Sequence, residues 1–496
     1  MTTTLASELF LGQSTDGQTA SLNPAMANRH GLIAGATGTG KTFTLKRLIE
    51  EFSRMGTPVF VVDVKGDVSG LAKPGTEHPR ITERLALLGN PPFAFTGFPV
   101  TFWDVYGDAG HPLRTTVSEM GPLLLSRLLD LNPTQESVLT LAFQIADDQG
   151  LLLLDLKDLQ SLINYLSEHG KEYASQYGSM APATLGAIQR AVMTLNTQGG
   201  DRFFGEPALN LNDWMTPVGS PGNWQGPVHI LMADKLMLQP KLYATLLLWL
   251  LSELYEDLPE VGDVAQPRLA LFFDEAHLMF DGMPDVLLDK ITQVVRLIRS
   301  KGVGVFFITQ NPLDIPDTVR GQLGNRIQHA LRVFSPKDEK VVRTLADSFP
   351  GNPDLPDMEK EITCLGIGEA LISTLDEKGQ PTQTRKIRVA PARSFNGALT
   401  AEERSAILAA SPLGARYAES IDRESACELL AKRAETAATQ AEATKAETPG
   451  KPAGRRSSDR SSQDPMQAMM KSAMHAIGAQ VGREIMRGIF GSMRKR

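Results

Sequence analysis

The segment His30–Thr42, HGLIAGATGTGKT, constrains this chain more than any other stretch. Leu32–Ala34 is a short apolar run, a glycine-rich turn follows it, and Phe43–Phe52 (FTLKRLIEEF) then carries a helical pattern. Gly35, Gly40, Lys41 and Thr42 fit G-x-x-x-x-G-K-[ST], a phosphate-cradling loop between a strand and a helix. The residue types have physical reasons. Gly35, Gly38 and Gly40 let the backbone turn so that successive N–H groups face phosphate oxygens, and the helix N-terminus adds its positive dipole end. Lys41 reaches the β- and γ-phosphates, and the Thr42 hydroxyl is placed to ligate Mg²⁺. With Ala36, Thr37 and Thr39 completing the loop, Gly35–Thr42 is expected to hold a nucleotide such as ATP.

A chain of 496 residues, 42% of them hydrophobic, can fill the cores of two or three domains. Its two cysteines, Cys364 and Cys427, are far apart and suit a reducing, cytoplasmic setting. MTTTLASELFLGQSTDGQ has neither a basic region nor a long apolar core, so a secretory signal is not expected. The most apolar run, Leu242–Leu251, is too short to span a bilayer and reads as a buried helix. The net charge of −7 argues against a broadly basic surface that coats nucleic acid, though not against a few basic loops lining a pore.

Strands are expected at Gly31–Ala34, Pro58–Val64, Phe98–Val105, Val228–Ala233, Leu269–Asp274, Val303–Thr309, Ile327–Phe334 and Ala370–Thr374. Most are continuous apolar runs, the pattern of strands buried on both faces of a parallel α/β sheet. From Arg114 to Thr197 the periodicity is helical, with Asn132-Pro133-Thr134 as a stop and N-cap between two helices.

A second constellation lies far downstream. LALFFDEAH places Asp274 and Glu275 at the end of an apolar run. An aspartate there can orient Mg²⁺, and an adjacent glutamate can polarise the water that attacks a γ-phosphate. The pair favours a hydrolytic, RecA-like P-loop NTPase. GVGVFFITQNP then ends a buried strand at Gln310, whose amide can sense the γ-phosphate or lytic water. Arg296 and Arg299 precede that strand at helical spacing, and either could reach a neighbouring subunit's nucleotide; Arg320, Arg326 and Arg332 compete for that role. Asp63, Lys65 and Asp67 end the second strand beside the expected phosphates, with a role around Mg²⁺ or between subunits open to them.

Taken together, GLIAGATGTGKT, VVDVKGDVSGLA, FFDEAHLMF, VVRLIRSKGVGVFFITQNPLDIP, GQLGNRIQHALR and LGIGEALIS resemble the bacterial DUF853 family of the HerA/FtsK superfamily, over about Leu9 to Ser394. The resemblance implies a RecA-like core with a mostly parallel central sheet, ATP hydrolysis with Mg²⁺, and a hexameric ring; the best-understood relatives pump DNA. It makes Lys41 and Thr42 Walker A, Asp274 and Glu275 Walker B, Gln310 the strand-end glutamine and Arg299 the arginine finger. Two departures stand out. Archaeal HerA-type helicases carry a β-barrel domain before the ATPase, where only about thirty residues precede the loop here. The membrane helices and DNA-reading winged domain of FtsK-type translocases are not visible either.

The expected organisation is an ATPase core over 1–113 and 201–395, interrupted by a helical subdomain at 114–200. A helical extension at 396–436, a disordered linker at 437–465 and a basic amphipathic helix at 466–496 follow. In that last helix Met466, Met470, Met474, Ile477, Val481, Ile485, Ile489 and Met493 form one stripe, flanked by an excess of Lys and Arg. It can pack on the chain itself or a neighbouring subunit, lie on a membrane surface, or touch nucleic acid. Three functions follow: a ring motor acting on DNA, an ATPase acting on a protein partner as secretion and conjugation ATPases do, or a binding switch with negligible turnover. Glu275 argues against the last, since a switch needs no built-in hydrolytic carboxylate.

Overall fold

The run Gly31–Ala34 is buried at every position and lies inside a twelve-stranded sheet. The computed structural model describes residues 8–220, 223–262, 264–281 and 285–446. In chain order the strands are β1 (Leu9–Ser14), β2 (Thr19–Leu22), β3 (Gly31–Ala34), β4 (Val59–Asp63), β5 (Val100–Asp104), β6 (His111–Pro112), β7 (Val218–Ser220), β8 (Asn223–Gln225), β9 (Val228–Met232), β10 (Leu269–Phe273), β11 (Val303–Thr309), β12 (Asn325–Gln328), β13 (Glu369–Ser373) and β14 (Arg385–Val389). β7 and β8 form a separate hairpin; the others lie in the order β2-β1-β14-β13-β12-β3-β11-β10-β4-β9-β5-β6. From β12 to β6 every neighbour runs parallel, whereas β13, β14, β1 and β2 add on antiparallel.

The parallel strands are the apolar runs expected for burial on both faces: β3, β4, β9, β10 and β11 are buried throughout. Phe272 of β10 and Phe306 of β11 stack at 4.9 Å, with Phe52 of the helix Lys41–Arg54 (α1) meeting Phe272 edge-on at 6.0 Å. In the antiparallel margin β13 falls on the expected strand Ala370–Thr374, whereas β14, β1 and β2 were not expected. In β14 the buried Ile387 and Val389 alternate with the partly exposed Lys386 and Arg388, so a search for continuous apolar runs passes over such a strand. The expected strand Ile327–Phe334 ends earlier, at Gln328. Beyond it the backbone of Ala330 and Leu331 turns to other partners: Ala36 N–H donates to Ala330 O and Leu331 N–H to Ile362 O.

The chain divides into two compact units, one comprising residues to Thr115 and Pro207–Ser420, the other Thr116–Glu206 and the chain from Ile421. The second holds helices Val117–Leu128, Pro133–Asp148, Leu156–Tyr177, Pro182–Leu195 and Ala426–Ala446. Asn132 caps its helix through Gln135 N–H at 3.0 Å, with Pro133 at the first position. Asp158 joins the last helix to this set: its carboxylate accepts from Cys427 N–H at 2.9 Å and from the Ser425 hydroxyl. Residues Ile421–Ala446 therefore belong with the inserted helices, where a separate extension to 436 was expected. The expected linker is helical over 437–446, an Ala-, Glu- and Lys-rich run of strong helix formers. The rest of that linker and the basic helix 466–496, with its membrane or nucleic-acid contact, lie outside the described residues.

Candidate functional site

Four neighbouring strands, β3, β11, β10 and β4, end side by side and deliver Gly35, Gln310, Asp274 and Lys65 to one edge of the sheet. At about 4.8 Å between strands, side chains on adjacent tips can meet. Gly35, Gly38 and Gly40 all have positive φ (151°, 77° and 114°), and α1 begins at Lys41. Space also demands glycine: a Cβ on Gly35 would stand 2.5 Å from that of His329. The Lys41 ammonium donates to Gly35 O at 2.6 Å and Ala36 O at 3.0 Å, carbonyls of its own loop. Burial lowers its pKa, opposed in part by Glu275.

Glu275 sits in left-handed backbone at φ 46°, which turns its side chain off the strand axis. Lys65 Nζ is 2.8 Å from Oε1, and Gln310 Nε2 donates to Oε1 at 3.1 Å and Oε2 at 3.3 Å. Gln310 Oε1 in turn accepts from the Thr37 hydroxyl at 3.0 Å. A chain of polar side chains thus runs from the glycine loop to the acid pair. Burial raises the pKa of Glu275, but the bonds from Lys65 and Gln310 outweigh it and leave the carboxyl lowered. Asp274 behaves oppositely. Burial and then the charge of Glu275 push it up to about 6. One carboxylate is therefore held ionised, and its neighbour is pushed toward the neutral form.

Asp63 is shown to be structural in the local sense: it accepts from Gly66 N–H at 2.8 Å, Val68 N–H at 3.0 Å and Ser69 N–H at 3.2 Å, which folds the turn carrying Lys65. Burial and Asp67 raise its pKa to about 7.

The sequence matches the family model described as "Helicase HerA-like C-terminal" over residues 8–496. The chain belongs to the helicase HerA-like C-terminal family. The fold of this HerA-like chain is also that of solved structures of a bacterial conjugative coupling protein. The unbound form of TrwBdeltaN70 matches at 15% identity and a TM-score of 0.52, over 77% of this chain and 89% of that one. The plasmid coupling protein TrwB in complex with ADP and Mg²⁺ matches at 15% identity and 0.50, over 75% and 87%. TrwB with the non-hydrolysable ATP analogue ADPNP matches at 16% and 0.50, over 75% and 88%. No curated protein matches the sequence.

In this HerA-like chain the expected arginine lies elsewhere. Arg299 occupies the turn Arg299–Lys301 that leads into β11, at the opposite end of that strand from Gln310. β11 has seven residues, so at about 3.3 Å each roughly 20 Å of strand separates the two. Arg299 is therefore remote from the strand tip that carries Gln310. Arg320 donates to Pro312 O and Ile315 O at 3.3 Å, and Arg326 to Ser348 O at 3.0 Å; both guanidinium groups hold their own loops. Arg296 and Arg332 are exposed.

Two supports of the HerA-like loop escaped the sequence reading. His329 Nδ1 faces Glu369 O at 2.9 Å, so it donates there, and Nε2 accepts from the Thr44 hydroxyl at 2.8 Å. Burial keeps this imidazole neutral, with its pKa down at about 4. Across α1, Glu50 accepts from Arg393 N–H and Ser394 N–H at 2.9 Å, and Lys46 Nζ donates to Phe395 O at 2.9 Å. The segment 393–395 thus straps the helix that follows the glycine loop. No local sequence pattern signals either contact.

Proposed function

We propose that this chain is a Mg²⁺-dependent ATPase of the HerA/FtsK type, working as an oligomeric ring on DNA. The observation that carries this reading is the linkage Thr37–Gln310–Glu275, which ties a glycine cradle to an ionised carboxylate. A γ-phosphate at Thr37 would displace Gln310, and Gln310 would pass that change to the carboxylate that polarises water. Lys41, once it leaves the carbonyls of Gly35 and Ala36, would neutralise phosphate charge. Among the described residues no three His, Cys, Asp or Glu cluster as a metal cage. Magnesium here would rest on Thr42 and Asp274, with phosphate oxygens and waters completing its shell. Such an ion would offset charge on the phosphates. The fold shared with TrwB, solved with ADP and Mg²⁺, supports the same choice of ligand. Arg299, remote from that strand tip in its own chain, suits a ring in which each subunit completes its neighbour's site.

One observation favours a second reading. With a net charge of −7, the chain carries no general attraction for a polyanion, which suits an ATPase that acts on a protein partner. Steady-state hydrolysis with and without single- and double-stranded DNA separates the two. Several-fold, salt-sensitive stimulation supports the DNA motor, and Lys41-dependent hydrolysis indifferent to DNA supports the protein-directed ATPase. Lys41→Ala should abolish turnover, and Glu275→Gln should bind ATP without hydrolysing it. Normal turnover in either variant would overturn the assignment of that residue.

A further inference from the structure

The glycine cradle has two unlike ends. At one, Thr37 reaches Gln310 and through it Glu275. At the other, Thr39 O accepts from Gly368 N–H at 3.0 Å, and Gly40 lies so close to Gly368 that a Cβ there would stand 3.0 Å from its nitrogen. A polyphosphate laid along the loop with its terminal phosphate at Glu275 must run its other end toward Gly368. We infer that the turn Gly366–Glu369, with Ile367 at its tip and Arg84 beneath it, is the platform on which the nucleoside rests. The inference rests on the phosphate-cradle reading above and adds which residues hold the rest of the nucleotide.

The turn is built to stay still. Gly368 has φ 72°, its carbonyl accepts from Val389 N–H at 2.9 Å, and Gly366 N–H donates to the Glu369 carboxylate at 3.0 Å. His329 holds Glu369 O at 2.9 Å and Arg84 Nη2 holds Ile367 O at 2.9 Å. At the tip of this restrained turn Ile367 is 68% exposed. A single exposed aliphatic needs no explanation. An exposed aliphatic on a turn hydrogen-bonded to a phosphate loop, above a half-buried guanidinium, offers an apolar face and a planar cation for a purine to lie on. The backbone carbonyls of Ile367 and Gly368 both receive Arg84, so the contact is one of stacking.

The test compares ADP with inorganic pyrophosphate, which fill the same phosphate positions with and without a nucleoside, by calorimetry on the full chain. In Ile367→Ser, ADP affinity should fall about tenfold, since one aliphatic face is re-exposed, while pyrophosphate affinity stays within about twofold. In Ile367→Trp, ADP should quench the new indole fluorescence and pyrophosphate should not. Unchanged ADP affinity in Ile367→Ser, or an equal loss for both ligands, would overturn the platform and leave the cradle intact. If the wild type binds neither ligand in a Lys41-dependent way, the cradle reading itself falls, and the platform with it.

Discussion

Lys65 Nζ stands 2.8 Å from Oε1 of Glu275, joining the turn after β4 to the acid pair after β10. The lysine is half-exposed and the glutamate almost wholly buried, so the contact anchors a mobile cation on a fixed carboxylate. Together with Gln310 it keeps that carboxyl ionised below its ordinary range, against burial. Lys65→Met removes that support, raises the carboxyl pKa and makes the base form disappear at a higher pH. The acid limb of kcat against pH should therefore move up by about one unit, and Lys65→Arg should restore it. Superimposable acid limbs in wild type and Lys65→Met would show that Lys65 does not tune Glu275.

With Mg²⁺ on Asp274 as proposed, the binding of metal with nucleotide should be proton-linked. Its carboxyl titrates at about 6 because burial and Glu275 oppose its charge. A cation requires the ionised form, so binding near pH 6 should release protons, whereas at pH 8 the group is already ionised. Calorimetry in buffers of different ionisation enthalpy should show proton release that fades toward pH 8, with affinity rising through pH 6. In Asp274→Asn the proton release should shrink to what the nucleotide's own terminal phosphate supplies.

Much of this was legible because the parts are contiguous. Gly35–Thr42, Asp274-Glu275 and Gln310 each follow their own apolar strand, and strand order then brings the tips together. Asp63, Lys65 and Asp67 were legible as the end of a strand beside the expected phosphates, but the partnership of Lys65 with Glu275 was not. The supports are illegible for a physical reason: Thr44 and His329 lie 285 positions apart, and Arg393 lies 343 beyond Glu50. Such pairs obey no local periodicity, and only the register of β12 beside β3 brings His329 behind the loop. β13, buried from Ala370 to Ser373, was legible as an apolar run, whereas β14 was missed because half-buried strands alternate where buried strands do not.

His329 makes part of the stability depend on pH. In the folded chain it stays neutral down to about pH 4, held by Thr44 and Glu369, whereas an unfolded histidine takes a proton near 6.5. A base whose folded pKa is depressed costs stability as pH falls through that window. Wild type minus His329→Leu should therefore lose roughly 3 kcal/mol between pH 6.5 and 4. Asp63 and Asp274, raised by burial, slope the other way but cancel in this difference. Denaturant titrations of both proteins across the window provide the measurement, and parallel pH profiles would refute it.

Glu50 should be the costliest polar residue of α1 to truncate. It is fully buried, and its carboxylate collects Arg393 N–H, Ser394 N–H and, at 2.7 Å, the Ser394 hydroxyl, with Arg47 3.6 Å away. Burial alone raises its pKa, and the donors from the strap act against that rise. Glu50→Ala would leave the three donors of the strap buried without an acceptor, while Arg47 keeps Glu51 at 2.6 Å and Phe10 O at 3.0 Å, a loss of about 3–5 kcal/mol. Glu50→Gln keeps one acceptor oxygen and should cost less than half as much. The strap would also open locally, because Phe395 O is what Lys46 holds on the next turn of the same helix. Protease cleavage after Arg393 under native conditions should therefore rise in the order wild type, Glu50→Gln, Glu50→Ala. Equal destabilisation of the two variants would mean that charge, not the count of satisfied donors, fixes the strap on the helix.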